Sequence, residues 1–350
     1  MWCLLVLLCS QGIAFSAGVT TPSTLNSDKS QYRKTRNPEC FMNVSEIIRY
    51  HGYPSEEYQV TTEDGYILGV FRIPAGRNSQ NTARPPSQEY GLNSVYSFDE
   101  IGKYDIPAEL YFIMNKTGQK YVYCVGHSEA STAGFVAFST YPELAQRVKV
   151  FFALGPVATI THATSPLVTF TCLPQSLIRL LLGCKGVLHQ NELLKGPLIQ
   201  TCGSLGKVCC SIFCYVAGSK IQNLNTSRID TYVGHSPAGT SVQNIIHWHQ
   251  ITHADQFQAY DYGSKENMKK YNQSAPPAYK IEKISTPIAV WSAGHDKFAD
   301  PKDVAKLLPR ITNLIYHEHF PAWGHLDFIW GLDATEKMHW KIIEIITKHP

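Results

Sequence analysis

Charge is scarce in this 350-residue chain: Asp, Glu, Lys and Arg make up 17% of it, and the formal net charge is +3. No basic run carries interleaved aromatics, so the electrostatic footprint of a nucleic-acid binder is missing. There is no H-E-x-x-H, EF-hand loop, Walker loop or dinucleotide fingerprint, and so neither a metal ion nor a nucleotide cofactor is implied. No apolar run is long enough for a transmembrane helix, which needs about 20 residues. The apolar start, Met1 to Cys9, is too short and lacks a positively charged lead, and Ala14, Ser16, Ala17 and Gly18 follow it. This reads as a secretory signal peptide over residues 1–18, with an uncleaved anchor as the rival.

Other features agree with a secretory route. Four sequons begin at Asn43, Asn115, Asn225 and Asn272, and the ten cysteines suit an oxidising compartment. Cys3 and Cys9 would leave with the leader. Cys202, Cys209, Cys210 and Cys214 share one segment. Zinc ligation there lacks the paired C-x2-C spacing, so a disulfide from Cys202 to Cys209 or Cys210 is expected instead. A chain 44% hydrophobic at this length can bury a large core.

Along the chain, Asn43 to Tyr50 reads as a short capped helix. Asp64-Gly65 between two β-branched runs predicts a hairpin of Glu57 to Thr61 with Tyr66 to Ile73. Pro74 to Ser97 is polar, rich in Pro, Gly, Ser and Asn, and reads as loop. From Phe98 to Asn115 the apolar spacing is helical, with Ile101, Ile106, Leu110, Ile113 and Met114 as core candidates and Pro107 as an interruption. Strands are expected at Lys120 to Gly126, Val148 to Val157, Thr286 to Trp291 and Asn313 to His317, and a helix over Thr335 to Lys348. Residues 158–284 show no strand–helix alternation and read as a mainly helical insertion. The sum is an α/β parallel sheet, with core parts at 40–157 and 285–350 and a cap between them.

The sheet run from Lys120 ends in Gly126-His127-Ser128-Glu129-Ala130 and passes into a small-residue helix. Strand, sharp turn and helix make a nucleophile elbow, G-x-S-x-G, although its last glycine is replaced by Ala130. A serine hydroxyl needs a base, and the base an orienting carboxylate, in the chain order Ser, acid, His. Asp296 lies just past the strand run Ile288 to Trp291. Asp300 is its rival, but Asp300-Pro301 looks like a helix start. His325 sits in the loop after the last strand, whereas His317 and His319 lie in or at the end of the strand itself. The expected triad is therefore Ser128, Asp296 and His325.

Several specific stretches resemble the acid lipase family of mammals, the gastric and lysosomal acid lipases and their paralogues. They include Thr62-Glu63-Asp64-Gly65-Tyr66-Ile67-Leu68, the elbow, Phe152 to Ala158, Ser236 to Asn244, Ala289 to Asp296 and His325 to Gly331, and the resemblance runs from about residue 40 onward. It implies an α/β-hydrolase with a helical cap and lid, active on triacylglycerols or steryl esters at a lipid–water interface, in a secreted or lysosomal protein. It also implies the same three triad residues. The backbone N–H of Glu129 is the implied oxyanion donor.

Two departures from the family stand out. The elbow of relatives reads Gly-His-Ser-Gln-Gly, so Glu129 and Ala130 both differ. Ala130 would bring a methyl into tight helix–strand packing, at about 1–3 kcal/mol. Relatives also carry a strand ending in His-Gly-Leu before the elbow, whose loop gives the second oxyanion N–H. Here the strand–helix–strand before the elbow is missing, and His51-Gly52 follows no strand. Three readings follow: an active lipase, a non-catalytic lipid binder, or a shortened product of a lipase gene.

Overall fold

The computed structural model describes residues 37–77, 96–183, 186–187, 192–254 and 256–350. The chain divides at Pro38, and the unit from Glu39 to Pro350 carries all that follows. The expected leader, 1–18, and most of the loop-like stretch before Ser97 lie outside the described residues.

Helix α1 (Val44–Tyr50) starts at Asn43, whose side chain accepts from the Glu46 N–H while Glu46 returns a bond to the Asn43 N–H. That reciprocal capping box is what Asn-x-x-Glu encodes. Strands β1 (Glu56–Thr61) and β2 (Ile67–Arg72) pair antiparallel from Thr61↔Ile67 outward. Gly65 turns the hairpin at φ +90°, a conformation that favours glycine. The hairpin forms its own two-stranded sheet.

The central sheet holds β3 (Val122–His127), β4 (Val148–Leu154), β5 (Ile288–Ala293) and β6 (Leu314–Phe320), all parallel and in that spatial order. β5 is buried at every position, which accounts for its unbroken apolar run. One sheet face packs Phe151, Ile288 and Val290 against Phe135 and Phe138 of α3 (Glu129–Thr140). The other packs Phe152, Ala289 and Trp291 against Phe320, Met338 and Ile342. Each such side chain contributes about 1.5–3 kcal/mol on burial. Among the described residues β3 pairs with β4 alone, and Val125 is 53% exposed.

The α-helical pattern is interrupted just before Pro107, as expected, and restarts with that proline in its first turn. Phe98–Glu100 runs through a wide π turn, Ile101–Asp105, into α2 (Ile106–Thr117). The carbonyl that proline leaves without a helical donor, that of Lys103, accepts from the Tyr141 hydroxyl at 3.0 Å instead. Leu110 and Met114 are buried, while Ile101, Ile106 and Ile113 are half-buried.

Asp105, in the π turn, is half-buried. Burial, then the neighbouring Asp64, Glu109 and Glu100, push its carboxyl up to about 7 from an ordinary 3.8. A raised folded value means stability that is fully present below pH 3.8 and lost as pH rises through 7. Asp105→Asn should therefore flatten the fall in Tm between pH 4 and 8, as read by thermal melts. Parallel Tm curves for the two proteins would contradict this.

The described part of residues 158–284 is mostly helical. It contains α4 (Gln175–Leu182), α5 (Glu192–Ser204), α6 (Gly206–Ala217) and α7 (Val242–Ala254), with one short pairing of Gly186–Val187 to Thr240–Ser241. Cys202 is bonded to Cys209 across the α5–α6 bend, and Cys210 is a buried free thiol. Helix α8 (Pro301–Leu307) follows β5, and α9 (Trp340–Lys348) closes the chain.

Candidate active site

β3 ends at His127, and α3 begins at Glu129. Between them Ser128 adopts φ 57° and ψ −122°, one of two non-glycine residues with positive φ among those described. Such a conformation persists only where the surroundings hold it. Here the Ser128 N–H donates to the Leu154 carbonyl at 3.0 Å, and the Ser131 hydroxyl donates to the Gly126 carbonyl at 2.7 Å. A Cβ on Gly126 would stand 2.9 Å from backbone atoms of Ala130 and Ser131, so the first elbow glycine is sterically required. The strain expected at Ala130 has no counterpart, because Ala130 is exposed. Its methyl meets no tight helix–strand contact, since the described residues leave that flank of β3 uncovered.

His325 and Asp296 converge on this serine. His325 Nε2 lies 2.7 Å from Ser128 Oγ, and its Nδ1 lies 2.8 Å from Asp296 Oδ2. Asp296 and His325 are 3% and 4% exposed, so water does not compete for these bonds. Asp296 Oδ1 accepts from the Phe298 and Ala299 N–H groups at 2.9 and 2.8 Å, which fixes the carboxylate at the end of β5. The arrangement calls for Nδ1–H donating to Asp296, leaving Nε2 to accept the serine proton.

The rivals sit elsewhere. Asp300 caps α8 by accepting from the Lys302 N–H at 2.8 Å. His317 and His319 are exposed on β6, and both contact Ser292 Oγ at 2.9 Å. His51 caps the end of α1, and Gly52 follows it.

Residues that the sequence did not single out complete the support. The His325 N–H donates to the Ala217 carbonyl at the end of α6 (3.0 Å), and the Leu326 N–H donates to the Ser219 hydroxyl (3.2 Å). His127 Nε2–H donates to the His325 carbonyl at 3.0 Å. Burial, and the nearby His325, push the His127 imidazole down to about 4, so it is neutral over most of the pH range. Glu129 accepts from Asn244 Nδ2 at 3.0 and 2.8 Å and from Trp248 Nε1 at 2.7 Å. No spacing rule links α7 to the elbow, so only the folded chain reveals these partners. As the first residue of α3, Glu129 has a backbone N–H without an intrahelical acceptor, the state an oxyanion donor needs.

A cavity of about 290 Å³ is lined by Ser128 and Glu129 together with Ile160, Val168, Leu182 and Trp248, and its wall is almost wholly apolar. Among the described residues no group of three His, Cys, Asp or Glu is placed to hold a metal ion. Of the sequon residues Asn43, Asn115 and Asn272 are exposed, and Asn225 is half-buried.

Comparison with known proteins gives the family. A family profile described as "Partial alpha/beta-hydrolase lipase region" matches residues 44–90. Human lysosomal acid lipase/cholesteryl ester hydrolase is 44% identical, over 93% of this chain and 96% of its own length. Mouse gastric triacylglycerol lipase is 40% identical, over 89% of this chain and 93% of its own. The chain belongs to the acid lipase family. As in that family's α/β-hydrolase fold, the described sheet is parallel, with helices on both faces. A monoglyceride lipase variant of Saccharomyces cerevisiae aligns with 81% of this family member and 78% of its own chain, at TM-score 0.44 and 13% identity. The alignment to the human relative spans 383 positions but draws on 93% of 350 residues here, so about 57 positions have no counterpart in this acid lipase.

Proposed function

We propose that this chain is a lipase, a serine ester hydrolase that works through an acyl-enzyme on Ser128. The observation that carries the reading is the Ser128–His325–Asp296 relay, with bonds of 2.7 and 2.8 Å, at the wall of an apolar cavity. Ser128 Oγ attacks the ester carbonyl as His325 Nε2 takes its proton. The Glu129 N–H stabilises the oxyanion, and Asp296 stabilises the imidazolium. Collapse expels the alcohol, which takes the proton from His325. Water then repeats the sequence on the acyl-enzyme and releases the fatty acid.

The cavity offers an acyl chain apolar walls, and the relatives' names point to triacylglycerols and cholesteryl esters as the substrate classes. We place the cap and lid within 158–284. Leu194, Leu198, Leu205, Val208 and Ile212 are exposed along α5 and α6, which meet at 105°, and suit a lipid–water interface. Among the described residues no single helix is long and apolar enough to cross a membrane. The route is secretory, as the relatives' lysosomal and gastric names suggest, and glycans at Asn43, Asn115, Asn225 and Asn272 fit it.

A fluorophosphonate probe applied to the folded, secreted protein should label Ser128 alone. Folded protein that stays unlabelled would refute the reading. A second reading, a chain shortened before the elbow, draws on β3 having one ladder partner among the described residues and on the unmatched positions. Such a chain would lack one oxyanion donor and turn over about 100- to 1,000-fold more slowly. Amplifying the transcript across Arg84 to Tyr90 decides between them, since a longer product encoding His-Gly-Leu would mark this chain as the shortened form.

A further inference from the structure

Helix α7 carries two nitrogen side chains that the mechanism does not use. His249 and His253 stand four residues apart and so share one helix face. Their ring centroids are 4.4 Å apart, and the rings are inclined at 47°. Each Nδ1 is engaged. His249 Nδ1 lies 2.5 Å from the Thr171 carbonyl, in the 3-10 turn Pro166–Cys172, and His253 Nδ1 lies 2.8 Å from the His249 carbonyl. A carbonyl oxygen only accepts, so both Nδ1 atoms carry the hydrogen. In the neutral ring the lone pair is then on Nε2, and neither Nε2 has a protein partner among the described residues.

Both imidazoles line an open polar hollow of about 570 Å³, separate from the apolar cavity. Two charged residues share its lining. Arg179 donates to the Tyr260 hydroxyl at 3.2 Å, and Asp261 Oδ1 accepts from the Gly263 N–H at 2.8 Å and from Asn267 Nδ2 at 2.7 Å. Their charges are opposite, so an arriving ion meets no net repulsion from the lining. A ring held by its other N–H on a carbonyl is the usual state of a metal-ligating histidine. Two imidazoles about 2 Å from one ion, and near a right angle to each other around it, have centroids about 4.5 Å apart. The observed spacing matches that value. Stabilising the end of α7 would account for His253, in the last turn, but not for the fixing of His249.

We propose that His249 and His253 form a two-imidazole site for a divalent transition metal, with copper(II) the best fit. Imidazole nitrogens at a right angle suit the tetragonal geometry of copper(II), and copper(II) heads the affinity order of such ions. Water fills the remaining positions, since no group of three His, Cys, Asp or Glu among the described residues is placed to hold the ion. Triad hydrolysis needs no metal, so the ion acts as a brace. It bridges one turn of α7, whose His249 grips Thr171, and both Thr171 and Trp248 line the apolar cavity. The inference needs only that α7 is folded and stands whether or not the chain is a lipase.

The full secreted chain is freed of metal with a chelator, its exposed Cys172 thiol is capped with iodoacetamide, and copper(II) is added at neutral pH. Competition with a chromogenic chelator gives the affinity, and electron paramagnetic resonance counts the ligating nitrogens. Wild type should bind one equivalent through two imidazole nitrogens, and the bound ion should raise Tm by at least about 2 °C. His249→Gln and His253→Gln should each weaken binding at least tenfold and remove one nitrogen from the spectrum. His317 and His319 on β6 are the control, because both are turned to Ser292, and His317→Gln should keep the equivalent in place. Circular dichroism confirms folding. Should His249→Gln not fold, His253→Gln, which leaves the Thr171 bond intact, still decides the matter. No bound equivalent in wild type, binding unchanged in His253→Gln, or an equivalent lost in His317→Gln would overturn the inference.

Discussion

Replacing Ser128 by alanine should reduce ester hydrolysis about a million-fold, to the rate left by cavity and oxyanion donor alone. The size of the effect follows from its irreplaceability. Among the described residues Ser128 Oγ is the only hydroxyl bonded to His325 Nε2, at 2.7 Å. Alanine accepts the same backbone conformation as serine, so the fold should persist. Asp296→Asn should lose about 10,000-fold, because an amide can no longer hold Nδ1–H toward itself and leave Nε2 free to accept. Its other two bonds, from the Phe298 and Ala299 N–H groups, can remain on the amide oxygen. Steady-state hydrolysis of a soluble ester checks both variants, with circular dichroism as the folding control. A Ser128→Ala protein within tenfold of wild type would remove Ser128 from the chemistry.

Gly218→Ala should destabilise the protein by more than about 3 kcal/mol and remove activity with it. Gly218 lies at φ +82°, and a Cβ there would sit 1.7 Å from the His295 carbonyl oxygen. The blow would fall where the site is assembled. His295 precedes Asp296, Ala217 accepts the His325 N–H, and a Cβ on Gly324 would itself stand 2.3 Å from the Ser219 nitrogen. Three loops therefore meet backbone to backbone at this point. Gly183→Ala is the control. It also has positive φ, 78°, with ψ −147°, but nothing within 4 Å of its would-be Cβ, so its cost, about 1–3 kcal/mol, is conformational alone. Denaturant melts and kcat/KM on both proteins give the comparison. Equal losses at Gly218 and Gly183 would show that backbone conformation, not the contact with His295, sets the effect.

Much of the site was legible before folding. The elbow could be read from Gly126-His127-Ser128 because a buried strand, a sharp turn and a helix each leave a local pattern. Asp296 and His325 followed from chain order and from their place after strands. Asp300 was set aside on a capping pattern that the structure repeats in its bond from Lys302. The hairpin was readable from Asp64-Gly65, since only its turn conformation needed encoding. One expectation had no counterpart: the strain at Ala130 was argued from local sterics, yet Ala130 is exposed. At Pro107, where the helix does change to a π turn, a distant group answers the local loss, since the Tyr141 hydroxyl donates to the Lys103 carbonyl.

The sequence by itself determined the candidate nucleophile with its candidate acid and base, the hairpin and the parallel sheet, because these rest on periodicity, turn chemistry and order along the chain. Only the tertiary structure decided what surrounds them. It chose Cys209 over Cys210 as the partner of Cys202, set the Ala217 carbonyl under the His325 loop, turned His127 to the His325 carbonyl, and closed Asn244 and Trp248 onto Glu129. The disulfide spans only seven positions, but the other contacts join residues more than a hundred positions apart. No local pattern carries such information, because which backbone groups meet depends on how whole elements pack.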